Sequence, residues 1–260
     1  MTRLARLAAH QFRYDQKAFW RNPAAVFFTV ALPVIFLFIF ATIFGNETIT
    51  LDSGAVVKVS TYYVPGIMTL AVVSATMVNI AIGLTELRES GVLKRVRGTP
   101  LPTAAFVAGR VGNSVVISLV MVVIVTAIGH FAYGVAIPGA SAVGVLVGLV
   151  VAAAAFCCLG FAITAAIPTE EAAPPITNAF VLPLYFLSGV FIPESEIPEG
   201  ILNFASAFPI RHAFEALLAG FDPLAAGAAI EWGHLGVVAA WGALGLALAM
   251  RSFRWEPRGE

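Results

Sequence analysis

The chain has 260 residues, of which 59% are hydrophobic and only 12% charged, and its mean hydropathy is +0.90. Soluble domains carry roughly 25% charged residues, so an ordinary soluble fold is excluded; with fifteen basic and fifteen acidic residues there is no electrostatic footprint for nucleic acid either. What remains is a membrane protein, long enough for about six apolar helices of roughly 20 residues each.

Residues 1–23 wind into an amphipathic helix. At 100° per residue, Arg3, Arg6, His10, Arg13, Lys17 and Arg21 fall within about 80° of arc, and Leu4, Leu7, Ala8, Phe12 and Phe19 fall opposite. Such a helix is expected to lie along a membrane surface, its basic face toward anionic headgroups or a protein partner. It has no apolar core of the kind a signal peptide needs. Apolar spans are then expected at 24–44, 62–84, 111–131, 140–167, 176–192 and 233–250. Pro33 and Pro183 fall inside spans, where lipid-embedded helices tolerate them. Gly144-x-x-x-Gly148 in the fourth span signals a close helix contact. Cys157 and Cys158 are adjacent in an apolar run and read as small fillers rather than a bridge or a metal pair. Residues 193–220 are apolar but contain Pro198, Pro209, Arg211, His212 and Glu215. A charge at mid-bilayer costs roughly 2.5–3.5 kcal/mol on insertion scales, so two half-helices meeting near Pro209 are expected to dip in and return. Arg211 and Glu215, four apart, suit one helix face, as a structural pair or as part of an outer gate.

Orientation follows from the basic residues. With both termini in the cytoplasm, thirteen of the fifteen Lys and Arg lie inside, and only Lys58 and Arg211 outside. Residues 85–103 then form an inside loop between spans two and three. Gly91 ends the continuation of span two, Val92 to Arg97 form a short helix, and Gly98-Thr99-Pro100 stop it. A plain positive-inside loop accounts for the basic residues but not for Glu86 and Glu89, since acidic residues do little for topology. Mixed charge on a rigid knob points to a protein partner.

Glu86-x-Arg88-Glu89-x-Gly91-x-Leu93 followed by Thr99-Pro100 resembles the coupling-helix signature of type-2 ABC exporter permeases. Pro183-x-x-x-Leu187-Ser188-Gly189-x-x-x-Pro193, Ile197-Pro198, Phe208-Pro209 and Glu215 are similar to that family's fifth span and re-entrant segment, and residues 1–23 to its connecting helix. The match runs in order along nearly the whole chain. It departs at Phe208-Pro209, where the family commonly has Asn-Pro, and at Arg211, where many relatives are neutral. The resemblance implies an all-α integral membrane fold: six transmembrane helices (residues 24–250), the connecting helix, a re-entrant hairpin between helices five and six, and a cytoplasmic tail at 251–260. It further implies a permease in a bacterial plasma membrane, working with a second copy or a sibling and with two separate ABC ATPase subunits, exporting a drug, lipid or glycolipid. No G-x-x-x-x-G-K-[ST] phosphate loop is present, so ATP and Mg are expected on the partner chains and no catalytic or metal-ligating residue on this one.

The residues expected to meet the motor are Glu86, Arg88, Glu89, Gly91, Leu93, Lys94 and Arg95, with Arg6, Arg13 and Lys17 from the first helix. By analogy with the family, spans two and five face the pathway, which nominates Thr76, Asn79, Asn178, Tyr185 and Phe186. Four rival readings compete, one of them an importer-type or assembly permease, including one that only scaffolds a heteromer, which the sequence leaves open. A polysaccharide exporter on the same fold would use aromatic lining. An ion-coupled secondary transporter needs intramembrane acids or histidines, which the span cores lack. An intramembrane enzyme needs a motif such as H-E-x-x-H or G-x-S-x-G, and the histidines here are scattered.

Overall fold

The computed structural model describes residues 3–193 and 196–252, so that most of the expected tail lies outside the described residues. In chain order the helices are α1 (Arg3–Trp20), α2 (Pro23–Ile43), α3 (Val59–Glu89), α4 (Val92–Arg97), α5 (Thr103–Tyr133), α6 (Ala142–Thr164), α7 (Ala173–Leu187), α8 (Glu199–Ala205), α9 (Pro209–Leu218) and α10 (Trp232–Ser252). A two-stranded antiparallel hairpin, β1 (Thr48–Thr50) with β2 (Val56–Lys58), folds the polar loop between α2 and α3. Nothing in the alternation of that loop announces it.

Local chemistry sets most of the boundaries. Asn22 caps α2, its side chain accepting from the Ala25 N–H at 3.1 Å, and Pro23 occupies the first turn, where a missing N–H costs nothing. Within α2 the backbone widens to a π-turn at Phe27–Ala31, just ahead of Pro33, whose ring crowds the carbonyl four residues back. Gly91, at φ +69°, makes the left-handed step between α3 and α4 that a side chain would resist. Proline starts α7, and Gly189 at φ +80° follows its end. α7 is therefore only 15 residues, about 22 Å at 1.5 Å per residue. The other five, α2, α3, α5, α6 and α10, are each long and apolar enough to cross a membrane.

α3 is the central mast. Nearly every residue from Val59 to Val73 is buried, against α2, α5, α6 and α9. α6 packs beside it and against α10 so closely that backbones nearly touch. A Cβ on Gly242 would stand 2.8 Å from Ala155, and one on Gly245 2.9 Å from the Leu159 nitrogen. The Gly144/Gly148 pair is also a contact face, but its partners are the Ala228–Ala229 backbone and α9 rather than a full span. α8 and α9 are two short helices separated by a break before Pro209. α9 is wedged among α3, α6 and α10, with Ile210, Ala213, Phe214 and Leu217 buried. The outward faces of α2, α5, α6, α7 and α10 carry exposed Phe28, Phe38, Val123, Leu146, Phe180 and Leu246. Apolar groups outside as well as inside suit hydrocarbon as the solvent. The protein is a multi-pass membrane protein.

The α6–α10 crossing yields a direct test. Gly242→Val forces a branched side chain into Ala155 and is expected to cost about 1–3 kcal/mol of packing, read as a lowered melting temperature in detergent. Gly236→Val, where nothing lies within 4 Å, is expected to leave it unchanged.

Candidate functional site: the charged knob and its supports

α4 projects from one end of the bundle as a six-residue helix. Leu93 is its foot, fully buried on Ile80, Leu84, Phe106 and Phe161. Val96 adds a second, partial contact to that cluster. Lys94, Arg95 and Arg97 face outward, and Glu86 is exposed on the last turns of α3. The knob is thus a charged surface on an apolar peg.

Arg88 is not on that surface. Expected at the motor contact, it is only 1% exposed and its fork points into the subunit. Nη1 donates to the Thr164 carbonyl at 3.0 Å, Nη2 to the Ile167 carbonyl at 2.7 Å and the Pro168 carbonyl at 3.3 Å, and Nε to Glu89 at 2.8 Å. The last carbonyls of a helix have no partner within it and form the negative end of its dipole. Arg88 therefore caps the end of α6 and ties it to the base of the knob, with Glu89, 21% exposed, balancing the charge. Leu93 and Arg88 hold the knob in place, while Glu86, Lys94 and Arg95 present its charge.

α1 keeps its basic stripe exposed: Arg6, Arg13 and Lys17 all face outward. Its other face does not rest on lipid as expected. It runs along the start of α5, with Gln11 and Phe12 against Gly109, Phe12 against Gly112, and Phe19 against Ile117 and Ala75. Helix–helix burial wins here because two glycines let the backbones close up. Asp15 lies on this inner face, 7% exposed, 3.8 Å from Arg110 of α5, and accepts from Gln11 at 3.1 Å. Burial pushes its carboxyl above the usual aspartate range, against the opposing pull of Arg110 and Gln11.

The residues nominated for a pathway separate. Thr76 is enclosed, its hydroxyl donating to the Val72 carbonyl at 2.6 Å within its own helix. Tyr185 is also internal and donates to the Leu70 carbonyl at 3.3 Å. Asn79 is half-buried near Arg110. Asn178 and Phe186 lie on the open face of α7. At the opposite end, Arg211 reaches back to the Leu202 carbonyl at 3.4 Å and braces α8 against α9. Glu215 lines a cavity of about 510 Å3 together with Asp52, Tyr62, Asp222, Glu231 and His234. The histidines that look scattered in sequence are not all so in space: the Nδ1 atoms of His212 and His234 share a hydrogen bond of 2.9 Å, and His212 Nε2 donates to the Ser206 carbonyl. Asp15 could have been found earlier. It stands about 160° from the centre of the basic arc, a lone carboxylate on the apolar side.

The structure is thus a multi-pass helical bundle with a buried mast, a wedged short helix α9 and a charged knob at one end. The chain belongs to the ABC-2 type transporter family, whose model matches residues 10–221. That places it among the membrane subunits of ABC transporters. Among curated proteins it is similar to the "Probable multidrug ABC transporter permease YbhR" of Escherichia coli K12, 24% identical over 151 residues. An O157:H7 counterpart of the same name matches equally. The matched stretch is 58% of this chain but only 41% of that relative.

Removing the Arg88 fork should be severe. Arg88→Ala strands three carbonyls and is expected to cost about 3 kcal/mol or more; Arg88→Lys, a point charge without the fork, should recover only part of it. Arg95→Ala on the exposed side should change stability by less than about 0.5 kcal/mol. Thermal unfolding of the three purified variants in detergent checks the order.

Proposed function

We propose that this chain is the permease of an ATP-driven exporter for amphipathic or hydrophobic compounds, with six crossings and both termini in the cytoplasm. The observation that carries the reading is the knob. A six-residue charged helix held by a buried Leu93 foot and the Arg88 cap can transmit force, whereas a loose loop would absorb it. Two ATPase subunits, binding ATP with Mg, dock beneath α4 and the basic stripe of α1. α7 counts as the fifth crossing, completed by the turn that follows it. Its open face, with Phe180, Leu182 and Phe186 exposed, suits a second permease, identical or sibling, with the pathway between the two. Pathway contacts then fall to Asn178 and Phe186, while Thr76 and Tyr185 act as packing. The large apolar residues exposed on that face, Phe180, Leu182 and Phe186, suit a drug- or lipid-like cargo, with a sugar-polymer exporter as the second reading because two of the three are aromatic. The multidrug label of the curated relative supports the same choice.

Co-reconstitution of the permease with an ABC ATPase subunit from the same organism tests this. Glu86→Lys combined with Arg95→Glu is expected to abolish co-purification of the ATPase and ATP-dependent efflux of a lipophilic dye from loaded vesicles. Full assembly and efflux by the double variant would reduce the knob to a topological loop.

A further inference from the structure

Arg110 stands where three elements meet. From α5 its guanidinium lies 3.8 Å from Asp15 of α1 and over the ring of Phe106, 5.5 Å from its centroid. On α3 it lies beside Gly83, its Nη1 3.4 Å from where a Cβ would stand, with the Asn79 side chain next to it. One side chain thus pairs with a carboxylate on α1 and lies against the backbone of the helix that leads into the knob.

We propose that Asp15 and Arg110 are positioning residues of the transport cycle: they yoke α1 to α3, so that the basic stripe and the knob move as one body. The proposal rests on the motor-docking reading of those two surfaces and says how they are kept in register. Seating α1 does not need the pair, because Gln11, Phe12 and Phe19 already close the α1–α5 contact. Nor is the pair a good stabiliser. A buried ion pair seldom outperforms apolar residues of the same size, and the raised Asp15 carboxyl shows burial outweighing its partners. What the pair adds is direction, since an attraction fixed at both ends resists sliding where apolar surfaces do not.

The surroundings fit a joint with more than one setting. Asp15 Oδ2, Arg110 Nε, Asn79 Nδ2 and Asn113 Oδ1 are buried with no hydrogen-bond partner among the described residues. Satisfied networks lock a core in one arrangement. Spare donors on Arg110 and Asn79, and spare acceptors on Asp15 and Asn113, allow the bonds to be exchanged when Arg110 shifts between Asp15 and Asn79. Coupling requires such differential contact between two states.

Charge, not shape, is what the test varies. Asp15→Asn and Arg110→Gln keep size and remove charge; Asp15→Glu and Arg110→Lys keep charge. In the permease alone, in nanodiscs, nitroxide labels at His10→Cys and Ser90→Cys, with Cys157 and Cys158 replaced by alanine, report the distance between α1 and the knob. A narrow distribution is expected in the parent and in the two charge-keeping variants, and a broad one in the two neutral variants. In the reconstituted complex, assembly and basal ATP hydrolysis should persist in the neutral variants while transport per ATP falls by roughly tenfold, with the charge-keeping variants close to the parent. Distances and coupling unchanged in the neutral variants would overturn the yoke, as would equal damage in all four. Should the parent permease fail to bind the ATPase while the distance pattern holds, the motor reading falls and the yoke stands as the α1–α3 joint.

Discussion

A guanidinium taken out of water must find acceptors for its N–H groups, and a helix that ends inside a protein must find donors for its last carbonyls. Arg88 and the end of α6 solve each other's problem. The fork donates to Thr164, Ile167 and Pro168, and Glu89 completes the charge balance. Much else hangs on this contact. It fixes where α3 stops relative to α6, so the left-handed step at Gly91 starts the knob from a fixed point. It also brings Leu93 over Ile80, Leu84 and Phe161, where the apolar foot can seat. The knob is stiff because its base is clamped to a second span, not because a six-residue helix is stable in itself; isolated helices of that length are not.

Between the two ends the bundle relies on shape instead of charge. Without a strong hydrophobic drive between helices in lipid, small residues that let backbones approach do the work. Gly242 and Gly245 against Ala155 and Leu159, and Gly148 against α9, lock α3, α6, α9 and α10 into one block. α7 is the exception. It packs mainly on α3, α8 and α9 and leaves Phe180, Leu182 and Phe186 uncovered. A span so lightly held by its own subunit is suited to be held by another.

The five long apolar helices, the short helix after Gly91 and the break before Pro209 were legible in the sequence because each is written in local chemistry: apolar length, Gly91, Pro100, Pro209. The direction in which polar side chains turn was not. Arg88 reads as one more cation in a charged loop, since its acceptors are backbone carbonyls about 80 residues away and a carbonyl leaves no mark in a sequence. Thr76 and Tyr185 read as pathway residues because any hydroxyl in a span is conspicuous, yet both are satisfied by carbonyls of α3. The His212–His234 bond joins two helices whose register periodicity cannot supply. Asp15 was the exception: its place on the apolar face of α1 was visible, and only its partner was not.

Both ends of the block are fastened by polar contacts, but of different kinds. At the knob end a buried guanidinium holds backbone carbonyls and a second pairs with Asp15. At the other end neutral groups supply several of the bonds. Trp241 donates to the Ala207 carbonyl, the two imidazoles share one hydrogen bond, and Tyr62 holds the Gly189 carbonyl at 2.6 Å. Neutral hydrogen bonds can break and re-form with smaller changes in solvation than ion pairs.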